Sequence, residues 1–147
     1  MLARLPSSSE EVMSRAITDQ PRCLVVEDQT LIALSIETYL EEAGIAVASV
    51  DSLAKARTWL ETNTADIAIV DFMLQDGSAT ELAGEFNRRA IPFVIYSGYP
   101  PHQSPPSGLQ SVPWLEKPTS RDALLKVVLK ILMAVSGQTP RAPWLHS

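Results

Sequence analysis

The sequence has little cysteine, and Cys23 is the single example in 147 residues. One thiol excludes a framework of intrachain disulfides, and its place inside an apolar run predicts a buried, inert side chain. No apolar run approaches the roughly 18 residues that a membrane-spanning helix needs. Residues 1–20 also lack the cationic start and apolar segment of a secretory signal peptide. These absences predict a cytoplasmic protein without membrane insertion.

Positive charge is also scarce, because 12 lysines and arginines face 17 acidic residues and leave a net charge of −5. No basic stripe is present to neutralise a nucleic-acid backbone, so we expect no nucleic-acid partner. Hydrophobic residues make up 46% of the chain, which indicates a folded globular protein. The length suits one domain with a substantial core, and the sequence has no internal repeat.

Short apolar runs alternate with segments of helical periodicity along the chain. The predicted strands cover 22–26, 45–50, 67–70, 93–96 and 112–115. Helices are predicted to follow the first, second, third and fifth strands. Buried runs of this length are typical of parallel strands, and right-handed crossovers then cover both faces of the sheet with helices. The sequence therefore predicts an α/β domain with a doubly wound parallel sheet.

Capping residues help to place the helices. The first predicted helix covers 30–43, and Gly44 stands where a C-terminal cap belongs. Asp51 or Ser52 is predicted to cap the second helix and Thr119 the last, because their side chains can accept hydrogen bonds from the first turn. The apolar positions of the first helix are Leu31, Leu34, Ile36, Tyr39 and Leu40.

A proline-rich segment interrupts the alternation after the fourth strand. Its residues Pro100, Pro101, Pro105, Pro106 and Gly108 fall within nine positions. Proline in a helix interior costs about 3 kcal/mol, so we expect a long loop instead of a regular helix there. We predict a folded domain over 21–136, with tails at 1–20 and 137–147.

Four of the apolar runs lead to polar residues suited to phosphoryl chemistry. The first ends on Glu27 and Asp28, the third on Asp71 and the fourth on Ser97, while the fifth leads to Lys117. Ligands of open parallel sheets bind outside the carboxyl ends of the strands. The sheet edge is therefore predicted to gather three carboxylates, one hydroxyl and one ammonium.

This group of residues suits Mg2+ and a phosphoryl group. Carboxylates about 4 Å apart repel by about 4 kcal/mol at an effective dielectric constant of 20, and a bound cation relieves that cost. Asp71 is the best candidate acceptor because it stands alone after a fully apolar strand. Taken singly, each residue also has an ordinary interpretation: Asp71 as a helix cap, Ser97 as a turn residue and Lys117 as a solvated loop lysine.

Taken in order, these residues resemble the receiver domain of two-component response regulators. The acidic pair Glu27-Asp28, the lone Asp71, the hydroxyl of Ser97 and Lys117 before a proline match its motifs over about 21–136. The resemblance implies a flavodoxin-like five-stranded parallel sheet with strand order 2-1-3-4-5. It also implies dependence on Mg2+ and an aspartyl phosphate as the signalling species.

The resemblance also implies a role for each residue. Asp71 is the expected phosphoacceptor, and Ser97 and Lys117 are expected to hold the phosphoryl group. The expected metal ligands are Glu27, Asp28, Asp71 and the backbone carbonyl of Met73. The expected switch residues are Ser97, Trp114 and Tyr99.

Two departures from the family pattern affect the expected output. The loop 74–77 lacks the usual proline, and the helix after the fourth strand is replaced by the proline-rich loop. The segment Tyr96-Ser97-Gly98-Tyr99 partly resembles an atypical stand-alone subgroup named after its FATGUY motif. We therefore expect a monomer or a weak dimer, since the usual dimer face includes the missing helix.

Three classes of function follow from these observations. The leading hypothesis is a stand-alone phosphoacceptor that receives phosphate from a histidine kinase or histidine phosphotransfer protein and acts on a downstream protein target. The alternative is a receiver-like adaptor that works without phosphorylation. A phosphatase is disfavoured, because those enzymes place a second aspartate two residues beyond the nucleophile, where this chain has Met73. We therefore expect no enzymatic activity beyond self-phosphorylation.

Overall fold

The computed structural model describes residues 20–98 and 108–135, and the elements within these ranges alternate as expected. The strands are β1 (Arg22–Val26), β2 (Ala46–Val50), β3 (Ile67–Val70), β4 (Met73–Leu74), β5 (Gly77–Ser78), β6 (Phe93–Ser97) and β7 (Trp114–Glu116). The helices are α1 (Thr30–Glu42), α2 (Leu53–Thr62), α3 (Thr80–Arg88) and α4 (Arg121–Val135).

Five of the strands form one parallel sheet in the order β2-β1-β3-β6-β7. Counted along the chain, these five strands have the order 2-1-3-4-5, so the flavodoxin-like fold is confirmed. The remaining strands, β4 and β5, pair antiparallel as a small hairpin between β3 and α3. The sequence predicted only a loop over 74–77.

The core lies on both faces of the sheet, as a doubly wound fold requires. Alternate side chains of β1 point to opposite faces, with Leu24 and Val26 packed in one cluster and Cys23 and Val25 in the other. The first cluster includes buried residues of α2 and α3, and the second includes those of α1 and α4. All four strand residues of β3 are buried, which makes it a central strand.

Cys23 is fully buried in β1, as predicted. Burial disfavours the charged thiolate and raises the pKa of the Cys23 thiol to about 12. The thiol is therefore uncharged and shielded in the folded protein.

Two of the predicted helix boundaries hold and one is wrong. Gly44 has a positive φ of 91° after α1, and Ser52 Oγ accepts a hydrogen bond from the Lys55 amide at 3.0 Å. Thr119, however, does not cap α4, because Ser120 immediately precedes the helix and its Oγ accepts from the Ala123 amide at 3.0 Å. The Thr119 hydroxyl instead donates to the carbonyl of Glu116.

Only some of the apolar positions of α1 face the core. The residues buried on α1 are Ala33, Ile36 and Leu40, whereas Leu31 is 81% exposed and Leu34 is 50% exposed. With 3.6 residues per turn, Leu31 lies roughly 160° around the helix from Ala33. The helix carries apolar residues on more than one side, so composition alone did not identify the inward stripe.

Several expectations concern residues beyond the described part of the chain. Residues 99–107, most of the proline-rich segment, lie outside it, and so do nearly all of both predicted tails. Gly98 and 108–113 form turns and irregular structure, and Leu109 is buried in the core. The replacement of the family's fourth helix by a loop therefore stays a prediction. Within the described ranges, no helix has the length and apolar character needed to cross a bilayer.

Two substitutions on α1 test which side of the helix faces the core. Ile36 is 1% exposed, so we expect Ile36→Ala to lower the free energy of unfolding by about 2–5 kcal/mol through loss of buried contacts and cavity formation. Leu31→Ala, on the exposed side, should change it by no more than about 0.5 kcal/mol. Urea unfolding followed by circular dichroism measures both. Equal losses in the two variants would contradict this assignment of the buried face.

Candidate functional site

The sheet places two carboxylates side by side at the carboxyl ends of β1 and β3. The Glu27 amide donates to the Val50 carbonyl at 3.0 Å, and the Asp71 amide donates to the Val26 carbonyl at 3.0 Å. These bonds continue the parallel ladders by one residue beyond each strand. They fix the backbone of Glu27 and Asp71 at neighbouring positions on one edge.

Asp28 joins these residues in an acidic cluster. Glu27, Asp28 and Asp71 each place a carboxylate oxygen within 4.8 Å of the others. Glu27 and Asp71 are buried, and Asp28 is half-buried. The structure thus brings together the three carboxylates that the sequence placed at this edge.

Lys117 supplies the positive charge next to this cluster. Its Nζ donates to Glu27 Oε1 at 2.9 Å and lies 3.5 Å from Asp71 Oδ2. The Lys117 amide donates to the Ser97 carbonyl at 2.7 Å, so the end of β6 positions the lysine backbone. The peptide bond between Lys117 and Pro118 is cis.

Ser97 is fully buried at the end of β6 and forms a hydrogen bond with Asp71. Burial raises the pKa of Asp71, and this bond opposes the rise because it favours the ionised carboxylate. Ser97 and Lys117 therefore both contact the predicted phosphoacceptor directly.

Burial dominates the electrostatics of the two inner carboxylates. It raises the pKa of Asp71, with Lys117 and Ser97 opposing the rise and Asp28 adding to it. Burial likewise raises the pKa of Glu27, opposed by Lys117 and by the Gln29 amide, which donates to Glu27 Oε2 at 3.1 Å. The site is therefore short of positive charge.

This shortage matches a divalent cation. Three carboxylates against one ammonium leave two negative charges when all groups are ionised. The donor set contains only oxygen atoms, which Mg2+ prefers, and Mg2+ commonly takes one or two protein carboxylates and keeps several waters. The residues present fit the expected ion.

Met73, whose backbone carbonyl is the fourth expected ligand, lies in β4 two residues after Asp71. The residue is 42% exposed and pairs with Ser78 of β5. The Ala79 amide donates to the Phe72 carbonyl at 2.7 Å and closes the base of the hairpin. The ligand role of Met73 stays a prediction.

The switch roles expected of Ser97, Trp114 and Tyr99 stay predictions. Trp114 lies in β7 beside Ile95 of β6, and its ring packs against Phe72 with centroids 4.9 Å apart. No sequence pattern indicates this contact, although Phe72 directly follows the predicted phosphoacceptor. Tyr99 lies outside the described residues.

A second set of contacts that the sequence analysis missed holds the loop after Lys117. The Tyr96 hydroxyl donates to the Thr119 carbonyl at 3.2 Å and accepts from Arg121 at 3.3 Å. Arg121 Nε in turn donates to Ser35 Oγ at 2.7 Å. Tyr96 also lies under the ammonium of Lys117, with Nζ 5.5 Å from the ring centroid. These contacts link Lys117 to helices α1 and α4.

Comparison with known families agrees with this geometry. Residues 23–129 match the response regulator receiver domain, and the chain therefore belongs to the receiver-domain family of two-component response regulators. Among curated proteins, the alginate biosynthesis transcriptional regulatory protein AlgB of Pseudomonas putida is 27% identical over 124 residues. The alignment covers 82% of this chain but 28% of AlgB, so the chain spans under a third of that relative.

Solved structures show the same fold. The receiver domain of Francisella response regulator 1452 matches with a TM-score of 0.71 and 27% identity, covering 80% of this chain and 100% of that chain. The response regulator TrrA of Thermotoga maritima, solved in complex with Mg2+ and BeF, has a TM-score of 0.69 and 22% identity. That match covers 76% of this chain and 99% of the other, and it supports the fold alone.

The raised pKa values of Glu27 and Asp71 predict how the site affects stability. An acid whose pKa is raised on folding contributes stability at low pH that is lost as the pH rises through the raised pKa. In metal-free protein at pH 7 we therefore expect Asp71→Asn to raise the Tm. Each kcal/mol gained in the free energy of unfolding corresponds to about 2–8 °C. The gain should shrink as the pH falls through the raised pKa of Asp71 towards its usual 3.8.

Thermal melts in EDTA across this pH range test the expectation. Asp66→Asn is a matched control, because Asp66 precedes the opposite end of the same strand and is exposed. It should give no such gain. A lower Tm for Asp71→Asn at pH 7 would mean that the ion pair with Lys117 outweighs the cost of burial.

Proposed function

We propose that this chain is a phosphoacceptor response regulator whose Asp71 is phosphorylated in a Mg2+-dependent reaction. The observation that supports this best is the pairing of Asp71 with Lys117 and Ser97 beside two further carboxylates. A cluster with this excess of negative charge is suited to bind a cation and, with it, an anionic phosphoryl group.

In the proposed reaction, an oxygen of the Asp71 carboxylate attacks the phosphorus of a phosphohistidine in line. The new O–P bond forms as the P–N bond breaks, and the leaving imidazole keeps the bonding electron pair and is protonated. Glu27, Asp28 and Asp71, with the carbonyl of Met73, would hold Mg2+. The bound ion would supply neutralisation of the charge that builds up between carboxylate and phosphate.

Lys117 and Ser97 would then convert phosphorylation into a change of conformation. Lys117 would exchange its contact with Asp71 for one with a phosphoryl oxygen, and the Ser97 hydroxyl would donate to another. Phosphorylation shifts the conformational equilibrium only if the phosphoryl group interacts better with one state. Trp114 is positioned to respond because its ring contacts Phe72, next to Asp71. Tyr99 is proposed as a further switch residue.

The proposed donor is a histidine kinase or a histidine phosphotransfer protein. Such a donor must contact the surface around the site. One cleft there is lined by Glu27 and by the half-exposed Leu34 of α1, which could contact the donor. We propose output through contacts with a downstream protein in the cytoplasm, by a monomer or weak dimer. No turnover of an external substrate is proposed.

Mass spectrometry of intact protein after incubation with Mg2+ and acetyl phosphate tests the proposal. We expect one added phosphoryl group in the unmodified protein and in Asp66→Asn. We expect none in Asp71→Asn or in the presence of EDTA, because the acceptor or the cation is then missing. The two aspartates flank the same strand, so the comparison separates the site from a general effect of losing one acid.

A negative result with acetyl phosphate is followed by a second donor, a phosphorylated histidine kinase. Failure with both donors would overturn the proposed function and favour the phosphorylation-independent adaptor. Labelling of Asp71→Asn to the same extent as the unmodified protein would show that the acceptor is a different residue.

A further inference from the structure

Asp76, at the turn of the β4–β5 hairpin, caps a helix that lies far from it in sequence. Its Oδ1 accepts a hydrogen bond from the Leu53 amide at 2.9 Å, and its Oδ2 accepts from the Ala54 amide at 3.0 Å. Ser52 Oγ accepts from the next amide, that of Lys55, at 3.0 Å. The first three amides of α2 are thus all satisfied, two of them by Asp76.

This cap also attaches the hairpin to the body of the protein. The hairpin consists of two residues per strand, with Met73 opposite Ser78 and Leu74 opposite Gly77. A two-stranded hairpin is at best marginally stable on its own in water. Its turn therefore needs an external contact, and the carboxylate of Asp76 provides one through two hydrogen bonds in which the acceptor is charged.

Gly77 shows how closely the turn approaches its neighbours. Its φ of 145° disfavours residues with a side chain, and a Cβ there would lie 2.6 Å from Leu53 Cδ1 and 2.5 Å from Glu81 Oε2. The turn is thus held between α2 and α3, next to the residue that makes the hydrogen bonds. The glycine permits the approach on which the bonds of Asp76 depend.

The hairpin begins directly after the proposed site. Asp71 lies two positions before its first residue, Met73 of β4, whose carbonyl is the expected fourth metal ligand. The short ladder of β4 and β5, closed by the bond from the Ala79 amide to the Phe72 carbonyl, connects Met73 to the turn. A displacement of the turn would therefore be passed to the backbone of Met73.

We infer that Asp76 is a positioning residue for the Mg2+ site, because it anchors the hairpin to α2 and so holds the backbone carbonyl of Met73 next to Asp71. This inference rests on the proposed function, since it assumes that the cluster binds Mg2+. Asp76 lies outside the cluster of Glu27, Asp28 and Asp71, and it acts through the hairpin. Residues that orient metal ligands typically change metal affinity by about 10–100-fold when they are replaced.

Calorimetric titration of Mg2+ into the unmodified protein and three variants tests the inference. Asp76→Asn keeps one acceptor oxygen and Asp76→Ala keeps none, so we expect weaker Mg2+ binding in both, by about tenfold or more in Asp76→Ala. Ser52→Ala is the matched control, since it removes a cap from the same helix without touching the hairpin. It should bind Mg2+ within twofold of the unmodified protein. The titrations are done at a temperature at which circular dichroism shows all four proteins to be folded.

Hydrogen exchange of the Ala79 amide gives a second measurement that does not depend on the metal. We expect faster exchange in the Asp76 variants, because the bond to the Phe72 carbonyl opens more often, and no change in Ser52→Ala. Equal effects of Asp76→Ala and Ser52→Ala would show that Asp76 acts only through the stability of α2. Unchanged Mg2+ affinity in both Asp76 variants would overturn the inference alone. Absence of Mg2+ binding by the unmodified protein would overturn the proposed function together with it.

Discussion

The contact of the Lys117 ammonium with Glu27 and Asp71 is the interaction on which the arrangement of this sheet edge depends. Without it, two buried carboxylates would face each other with no opposite charge between them, and repulsion at about 4 Å is worth about 4 kcal/mol at an effective dielectric constant of 20. The lysine reaches this place because its amide is bonded to the Ser97 carbonyl and because Tyr96 holds the loop that follows. The central strands and the final loop are therefore coupled through one charge.

That single ammonium leaves the site incompletely balanced, and the imbalance connects structure to signalling. The pKa values of Glu27 and Asp71 are raised chiefly by burial, despite their contacts with Lys117. A divalent cation would correct the balance, and a phosphoryl group would then bring negative charge to which Lys117 and Ser97 can respond. Such a site responds to a bound cation or phosphoryl group because the folded protein leaves part of its negative charge unbalanced.

The sequence predicted the features that depend on local patterns, and it missed those that depend on contacts between distant residues. Runs of buried residues located every strand of the main sheet, and the polar residues after them located the carboxylates, Ser97 and Lys117. Apolar residues occur on several sides of α1, so their positions did not identify its buried face, and the cap of α4 was predicted one residue early, at Thr119 instead of Ser120. No periodicity signals that Asp76 caps α2 or that Phe72 packs on Trp114, because both contacts depend on how the finished elements lie.

The reactivity of the buried Cys23 can report on local unfolding of the sheet around β1. The thiolate is the form of cysteine that attacks alkylating reagents, and a thiol in the central region of the sheet with a pKa of about 12 offers almost none of it at neutral pH. Reaction must therefore wait until β1 separates from its neighbours. The rate of labelling of the native protein would then measure the free energy of that separation. Because no other cysteine is present in the chain, the reading needs no engineered probe and no correction for a competing thiol.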